Sequence, residues 1–221
     1  MENKLTQIMM KARLFSGFSP ADCVKLREAA KSERFTPRAG ESFMDEGAHV
    51  DFFAILVKGR LLGERYHRGG AVELVQIYTA GDLIGLEAVC TPARLCPFQL
   101  RCATDADLLS FRYDDLMQTG GLPEPLRERL RLNIIHILAN ENIKKLHKID
   151  VLYKRSLRDR IGVFLQNIRT RTGRDAFHIH MDREQFAQFL GVNRSALSHE
   201  LSLLRQEGLI DFKKDYFELK Q

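Results

Sequence analysis

Four polar side chains near the C-terminal end of the chain have the types and spacing of a surface that binds nucleic-acid bases. They are Arg194, Ser195, Ser198 and His199. On a helix these positions fall within the first turns and on one side. Their guanidinium, hydroxyl and imidazole groups form the hydrogen bonds that base edges offer in the major groove of DNA. The pattern predicts a recognition helix. The alternative is a helix that only packs a core, as in most helix pairs.

Apolar residues on both sides of a glycine turn predict the two helices that would present this surface. The stripe of the first helix consists of Phe186, Ala187 and Leu190. Gly191 ends this helix, and Asn193 suits the N-cap of the second because its side-chain oxygen accepts a bond from a first-turn N–H. The residues of the second helix expected to face the core are Leu197, Leu201 and Leu204.

Short β-elements flank the helix pair and predict a winged helix-turn-helix. A strand before the first helix is indicated by the alternation of Phe177, Ile179 and Met181. Residues 209–219 indicate a small hairpin after the second helix. The basic residues predicted to contact DNA phosphates are Arg183, Lys213 and Lys214.

Length, composition and charge limit the classes of protein that the chain fits. Its 221 residues suggest one or two domains, and a hydrophobic share of 44% suffices for real cores. The sequence lacks the run of about eighteen apolar residues that marks a membrane span, and its first residues lack the features of a secretory signal. We therefore expect a cytoplasmic protein without a membrane partner. Residues 151–221 carry 13 Lys and Arg against 9 Asp and Glu, which favours a polyanionic partner.

The four cysteines do not predict a disulfide framework or a zinc site. They are Cys23, Cys90, Cys96 and Cys102, and none forms a C-x-x-C pair. We interpret them as buried thiols that serve as small hydrophobic residues. Redox activity of the last three stays open as an alternative, and it requires an exposed thiol with a depressed pKa.

The first part of the chain has the pattern of an antiparallel β-domain. Short apolar runs alternate with glycines, and Gly59 and the pair Gly69-Gly70 are expected in hairpin turns. A long helical pattern follows from residue 123 to 150. Its a/d-like seam contains Leu132, Ile135, Ala139, Asn142 and Leu146. We predict that one side of this helix packs on the β-domain and the other on a second copy of the chain. The alternative is a helix buried within one monomer.

The chain resembles the Crp/Fnr family of bacterial regulators over nearly its whole length. The matching pieces, in the family's order, are LFSGF at 14–18, PRAGESFMDEG at 37–47, DFFAILVKGRL at 51–61, AGDLIG at 80–85 and LGVNRSALSHELSLLRQEGLI at 190–210. The resemblance implies an α+β chain with an N-terminal antiparallel, jelly-roll-like β-roll of the cyclic-nucleotide-binding type. It implies a β-roll sensor domain at 1–122, a dimerisation helix at 123–150 and a winged helix-turn-helix DNA-binding domain at 151–221.

For the recognition helix, the resemblance implies that Arg194 reads a guanine. The next family position is often Glu, where this chain has Ser195, and a later one is often Arg, where it has His199. These departures imply a half-site different from that of the best-known members. The implied partners are double-stranded DNA with a near-palindromic operator, a second copy of the chain, and RNA polymerase.

The effector that the resemblance would place in the β-roll is unknown. The matching pocket positions are Leu83, Gly85, Leu86, Glu87 and Arg94. Cyclic AMP is disfavoured, because the family's ribose-binding Glu and its phosphate-binding Arg-Ser pair are missing, although Arg94 or Arg101 could substitute. Haem stays open, with Met44, His49, His67 or His136 as axial ligands. Control by cysteine oxidation, or activity without any effector, stays open as well. The lone Cys23 disfavours an iron–sulfur cluster.

Two other functions compete with that of a transcription regulator. One is a ligand-binding scaffold whose winged domain contacts protein instead of DNA. The other is a cupin-type enzyme, which needs a His-x-His pair with a Glu and a further His on neighbouring strands. The β-rich region offers only His49 and His67. His178 and His180 are expected on the surface of the winged domain. We therefore expect neither catalysis nor a metal site.

Overall fold

The computed structural model describes residues 2–118 and 121–220. Its α-helices are α1 Glu2–Lys11, α2 Pro20–Ala29, α3 Leu86–Val89, α4 Tyr113–Met117, α5 Glu124–Tyr153, α6 Leu157–Thr172, α7 Arg183–Leu190 and α8 Arg194–Gln206. The strands are β1 Arg34–Phe35, β2 Ser42–Met44, β3 Phe52–Lys58, β4 Arg60–Tyr66, β5 Val72–Thr79, β6 Leu83–Ile84, β7 Gln99–Cys102, β8 Asp107–Arg112, β9 Ala176–His178, β10 Ile210–Lys213 and β11 Tyr216–Leu219. None of the helices in these ranges is long and apolar enough to cross a bilayer.

The N-terminal strands form two four-stranded sheets, with strand orders β1-β8-β3-β6 and β2-β7-β4-β5. The central pairing of β3 with β8 is antiparallel and brings Phe53 opposite Phe111. These two rings stack at 5.4 Å and are fully buried, with Phe15 against Phe111. Aromatic pairs of this kind dominate core energetics because each ring removes a large apolar area from water. The predicted α+β fold with an N-terminal antiparallel β-domain is confirmed.

Tight turns join the strands of this domain where glycine permits a positive φ. Gly59 lies between β3 and β4 at φ +100, and an added Cβ would meet the Asp105 carbonyl oxygen at 2.5 Å. A side chain at position 59 is therefore excluded both by the backbone conformation and by space. In the β4–β5 turn Gly70 has φ +80, whereas Gly69 does not have a positive φ. Only one glycine of the predicted pair thus needs its conformational freedom.

Helix α5 has one face in the N-terminal core and another face exposed. Leu130 and Ile134 are buried, and Ile137 and Leu138 are partly buried against the same core. The helix ends at Tyr153, three residues beyond the predicted end at 150. No proline or glycine occurs near residue 150 to stop it, and Ser156 caps the next helix by accepting a bond from the Asp159 N–H.

The C-terminal residues form a separate small core. Strands β10, β11 and β9 make an antiparallel sheet in that order. The fully buried residues that the helices and strands contribute are Ile161, Leu165, Phe186, Ala187, Leu190, Leu197, Leu201 and Phe217. The strand predicted before the first helix of the pair is β9, and it ends earlier than the sequence indicates. His180 has φ +57, which turns the chain after β9. Phe177, Ile179 and Met181 are nevertheless all buried.

The chain divides into two compact units. The described residues within Met1–Tyr66 and Val75–Asn140 form one unit, and those within His67–Leu74 and Glu141–Gln221 form the other. Helix α5 contributes residues to both. The finer boundaries at 122 and 150 stay a prediction.

Candidate nucleic-acid interface

Local sequence rules explain the geometry of the helix pair α7–α8. The Asp182 carboxylate accepts a bond from the Gln185 N–H at 2.8 Å, and the Gln185 side chain accepts one from the Asp182 N–H. This reciprocal capping box satisfies first-turn donors that a helix leaves unpaired. Gly191 ends α7 in the left-handed region at φ +69. Asn193 then caps α8 by accepting a bond from the Ala196 N–H at 2.8 Å, as its position predicts.

The four predicted base-reading residues lie on the outer side of α8. Arg194, Ser195 and His199 are exposed and Ser198 is half-buried, while the leucine face of the helix is inside the core. The described residues offer the Arg194 guanidinium no carboxylate within ion-pair distance. Arg194 is therefore an exposed and uncompensated positive charge at the start of α8.

Ser195 makes a bond that restricts its chemistry. Its hydroxyl donates to the Asn193 Oδ1 at 2.8 Å, so the N-cap oxygen accepts two hydrogen bonds. A hydroxyl has one proton and two lone pairs. While the proton is held by Asn193, Ser195 presents acceptor lone pairs outward, which match the amino groups of cytosine and adenine.

The predicted phosphate contacts have different surroundings. Lys213 and Lys214 are exposed at the turn between β10 and β11, where Lys214 has φ +57. In the same turn, the Asp215 carboxylate lies 3.1 Å from the His178 Nδ1 atom, and this contact connects the turn to β9. Arg183 is half-buried, and its guanidinium lies over the Phe212 ring at 4.8 Å from the centroid.

Two ion-pair clusters next to α8 were not predicted from the sequence. Arg158 of α6 donates to Glu200 at 2.7 Å and forms a bidentate pair with Glu207 at 2.8 and 2.7 Å. Arg205 binds Asp211 and the Phe212 carbonyl, and this pairing lowers the pKa of Asp211. Because the Arg158 partners lie 42 and 49 residues away, no local pattern reveals them.

The two charged residues predicted for the effector pocket of the β-roll are each bonded to a residue outside the predicted set. Leu83 is half-buried and Leu86 is buried, and Gly85 precedes α3 at φ +78. Glu87 accepts a bond from the Tyr78 hydroxyl at 3.2 Å. Arg94 forms a bidentate pair with Asp114, both bonds measuring 2.7 Å.

The second arginine considered as a phosphate partner is also paired. Arg101 makes two bonds of 2.8 and 2.7 Å with Glu64, whose side chain is only 5% exposed. The Phe98 ring fills the space beside Gly63, where an added Cβ would meet it at 2.7 Å. An anionic phosphate at this place would have to compete with carboxylates for both Arg94 and Arg101.

The surroundings of the side chains considered for haem ligation or redox chemistry do not favour either role. Met44 is buried in the core, His67 pairs with Glu73 at 3.3 Å, and His136 is exposed on α5. Three thiols are buried and one is half-buried: Cys23, Cys96, Cys102 and Cys90. Burial raises the pKa of all four, which disfavours the reactive thiolate. Within residues 2–118 and 121–220, no group of three or more His, Cys, Asp or Glu side chains is arranged to hold a metal ion.

The outer face of α5 carries an exposed apolar row. Leu132 is 48% exposed, Ile135 59% and Leu146 56%. The other predicted seam residues, Ala139 and Asn142, are exposed as well. A row of large apolar side chains in water is costly unless another surface covers it.

Two family models match the chain. The cyclic nucleotide-binding domain matches residues 35–119, and the Crp-like helix-turn-helix domain matches residues 159–221. Electron transport regulator A of Shewanella oneidensis is 23% identical over 195 residues, which are 83% of this chain and 74% of that protein. The fumarate and nitrate reduction regulatory protein of Vibrio cholerae is similar to the same extent, 23% over 195 residues and the same shares of the two chains.

Solved structures show the same fold. A CooA mutant from Carboxydothermus hydrogenoformans has a TM-score of 0.70 at 17% identity, over 88% of this chain and 86% of that one. The c-di-GMP responsive global regulator CLP of Xanthomonas campestris has a TM-score of 0.68 at 17% identity, over 88% and 97%.

The named relatives are regulators and not enzymes, and on that ground the prediction of a non-enzymatic protein is confirmed. The matched models, the relatives and the shared fold agree with the motifs quoted from the sequence. The chain belongs to the Crp/Fnr family of DNA-binding transcription regulators.

Proposed function

We propose that the protein is a homodimeric transcription regulator that reads a near-palindromic operator with the outer side of α8. The observation that carries the proposal is Arg194, whose exposed guanidinium has no carboxylate partner among the described residues and whose helix is buried on its opposite face. An Arg in this position donates two hydrogen bonds to the O6 and N7 atoms of a guanine. Two copies of α8 would enter successive major grooves about 34 Å apart.

The neighbouring side chains define the rest of the half-site. Ser195, whose proton is held by Asn193, accepts from a cytosine or adenine amino group. Ser198 and His199 contact the next base pairs along the groove. Neither Glu nor Arg, the common family residues, stands at positions 195 and 199, so we expect a distinct operator.

Backbone contacts come from basic residues beside α8. We assign phosphate contacts to Arg183, Lys213 and Lys214, since cations around a reading helix fix its register without reading sequence. The affinity for DNA then falls steeply with salt, because each contact releases condensed counterions.

Dimerisation through α5 supplies the second reading helix. We expect the exposed row at Leu132, Ile135 and Leu146 to pack against the same row of a second copy across a two-fold axis, with Ala139 and Asn142 in the same seam. A buried Asn142 would fix the register of the two helices. The division that we propose is a sensor at 1–122, a dimer helix at 123–150 and a DNA-binding domain at 151–221.

The β-roll is the proposed site of a small effector, or of a redox or gas signal, around Leu83, Gly85, Leu86 and Glu87. Against a cyclic nucleotide stands the pairing of Arg94 with Asp114 and of Arg101 with Glu64. With chromosomal DNA as the partner and RNA polymerase as its target, we expect the protein to act in the cytoplasm.

Selection from a pool of random duplexes, followed by fluorescence polarisation on the selected DNA, tests this function. We expect a near-palindrome, and Arg194→Ala should lose about 1–3 kcal/mol of discrimination for each guanine contact. Arg171→Ala, which removes an exposed arginine of α6, serves as the matched control. An unchanged ratio of specific to random affinity in Arg194→Ala, or binding by a monomer alone, would contradict the proposal.

A further inference from the structure

Arg183 is held by aromatic rings instead of carboxylates. Its guanidinium carbon lies 4.8 Å from the centroid of Phe212 and 5.9 Å from that of Phe217. Among the residues that the structure describes, no Asp or Glu lies within ion-pair distance of it. An aromatic face attracts a cation through its quadrupole but does not neutralise it, so the positive charge stays available to an anion.

The neighbouring arginine shows the contrast. Arg205 also lies over the Phe212 ring, at 4.3 Å, but it is bonded to the Asp211 carboxylate and the Phe212 carbonyl. Its charge is compensated and its position is fixed by the hairpin. Arg183 lies over the same ring but is not bonded to the Asp211 carboxylate. Of the two arginines at this ring, Arg183 is therefore the one whose charge is uncompensated.

The electrostatic surroundings of Arg183 favour a negatively charged ligand. Burial, and then the positive charges of Arg194 and Arg205, lower the pKa of Arg183. An arginine remains charged despite such a shift, because its ordinary pKa is far above neutrality. Three guanidiniums therefore lie near one another, and among the described residues only that of Arg205 has an ion pair, which it makes with Asp211. An oxyanion placed between them would relieve this repulsion.

We propose that Phe212 is a positioning residue that holds the Arg183 guanidinium in place for a phosphate of the DNA backbone bound beside α8. This inference rests on the proposed function. The ligand is a backbone phosphate and not a base, since Arg183 begins α7 and stands outside the outer side of α8 that carries Arg194, Ser195 and His199.

The ring does two things for this contact. It packs against the guanidinium without accepting its hydrogen bonds, which leaves the N–H groups available to donate to phosphate oxygens. It also restricts the rotamers of a long side chain before DNA arrives, so less conformational freedom is lost on binding. Phe212 itself need not touch the DNA.

The salt dependence of DNA affinity measures this role without knowledge of the operator. Full-length protein is titrated with fluorescein-labelled duplexes of random sequence between about 50 and 200 mM salt, a range in which the slope reports the number of phosphates contacted. The variants are Phe212→Leu, Phe212→Tyr, Arg183→Ala and the double variant Phe212→Leu with Arg183→Ala. Tyr216→Leu is the matched control, because it removes a ring of the same hairpin that contacts His178 and not Arg183.

In Arg183→Ala we expect the negative slope of log affinity against log salt to become shallower by about 0.9 for each phosphate that the protein no longer neutralises. Phe212→Leu should move the slope towards that value and weaken binding roughly two- to fivefold for each phosphate concerned. Phe212→Tyr, which keeps the ring, and Tyr216→Leu should retain the wild-type slope. Phe212→Leu should change nothing further in the Arg183→Ala background.

A purely structural role of Phe212 would give a different result. Phe212→Leu would then lower the melting temperature and leave the slope at the wild-type value, and its effect would add to that of Arg183→Ala. Either result overturns the inference while DNA binding itself stands. If the wild-type protein has no salt-dependent affinity for duplex DNA, the proposed function fails and the inference with it.

Discussion

Leu146→Ala tests whether the exposed face of α5 holds two copies of the chain together. Leu146 is 56% exposed in the monomer, so roughly half of its side chain remains for a partner to cover. The substitution removes three carbon atoms worth about 0.8 kcal/mol each on full burial, hence about 1.2 kcal/mol for the uncovered half. In a symmetric dimer the loss occurs twice and amounts to about 2.4 kcal/mol. This corresponds to a roughly fiftyfold larger dimer dissociation constant.

Sedimentation equilibrium of the full-length protein measures that constant directly. Leu209→Ala is the matched control, since Leu209 is similarly exposed at 48% but lies just before β10. The control should dimerise as the wild type does. A dissociation constant unchanged by Leu146→Ala, with the monomer still folded by circular dichroism, would show that this face does not form the dimer interface. The alternative of a helix covered within a single monomer already disagrees with the exposure of the row in this structure.

Two further substitutions test the caps and ion pairs described above. Asn193→Ala should lower the free energy of unfolding by about 1 kcal/mol in urea titrations, whereas Asn193→Asp keeps the accepting oxygen and should not; equal losses would contradict the capping role. Arg94 holds the pKa of the Asp114 carboxyl below its ordinary value. The pair therefore stabilises the fold at pH values above the ordinary pKa, and this stabilisation is lost as the pH falls through the lowered pKa. Because the pair is partly exposed, Asp114→Asn should lower the free energy of unfolding by at most about 1 kcal/mol near neutrality. Between about pH 5 and pH 2 the variant should lose less stability than the wild type, because it has no carboxylate at this position to protonate. Parallel pH profiles of the two proteins would refute that assignment.

Local rules explain why the helix pair could be predicted from the sequence. Gly191 ends α7 and Asn193 begins α8 through bonds that span only a few residues. The buried faces follow from helical spacing, which is equally local. The side chains of Arg194 and His199 then have to lie outward, because the leucines of α8 occupy its inner face.

Contacts between distant residues could not be predicted in the same way. Arg94 was considered as a phosphate partner, and only the fold shows that it pairs with Asp114, 20 residues later. The contact of Arg183 with Phe212 likewise joins α7 to the hairpin across 29 positions of the printed sequence. A basic residue has many possible partners at such separations, and the free energies that choose among them are small.

The pairing of Arg158 has a consequence for regulation. This side chain joins the start of α6 to Glu200 within α8 and to Glu207 at its end, and Arg160 donates from α6 to the Leu190 carbonyl at the end of α7. Helix α8 is thereby bonded at several points to α6. For the control by an effector that we propose, these bonds favour a change in the placement of the entire winged domain on DNA over a tilt of α8 alone. Comparing amide-exchange protection of α8 and α6 in free and DNA-bound protein would reveal such concerted behaviour.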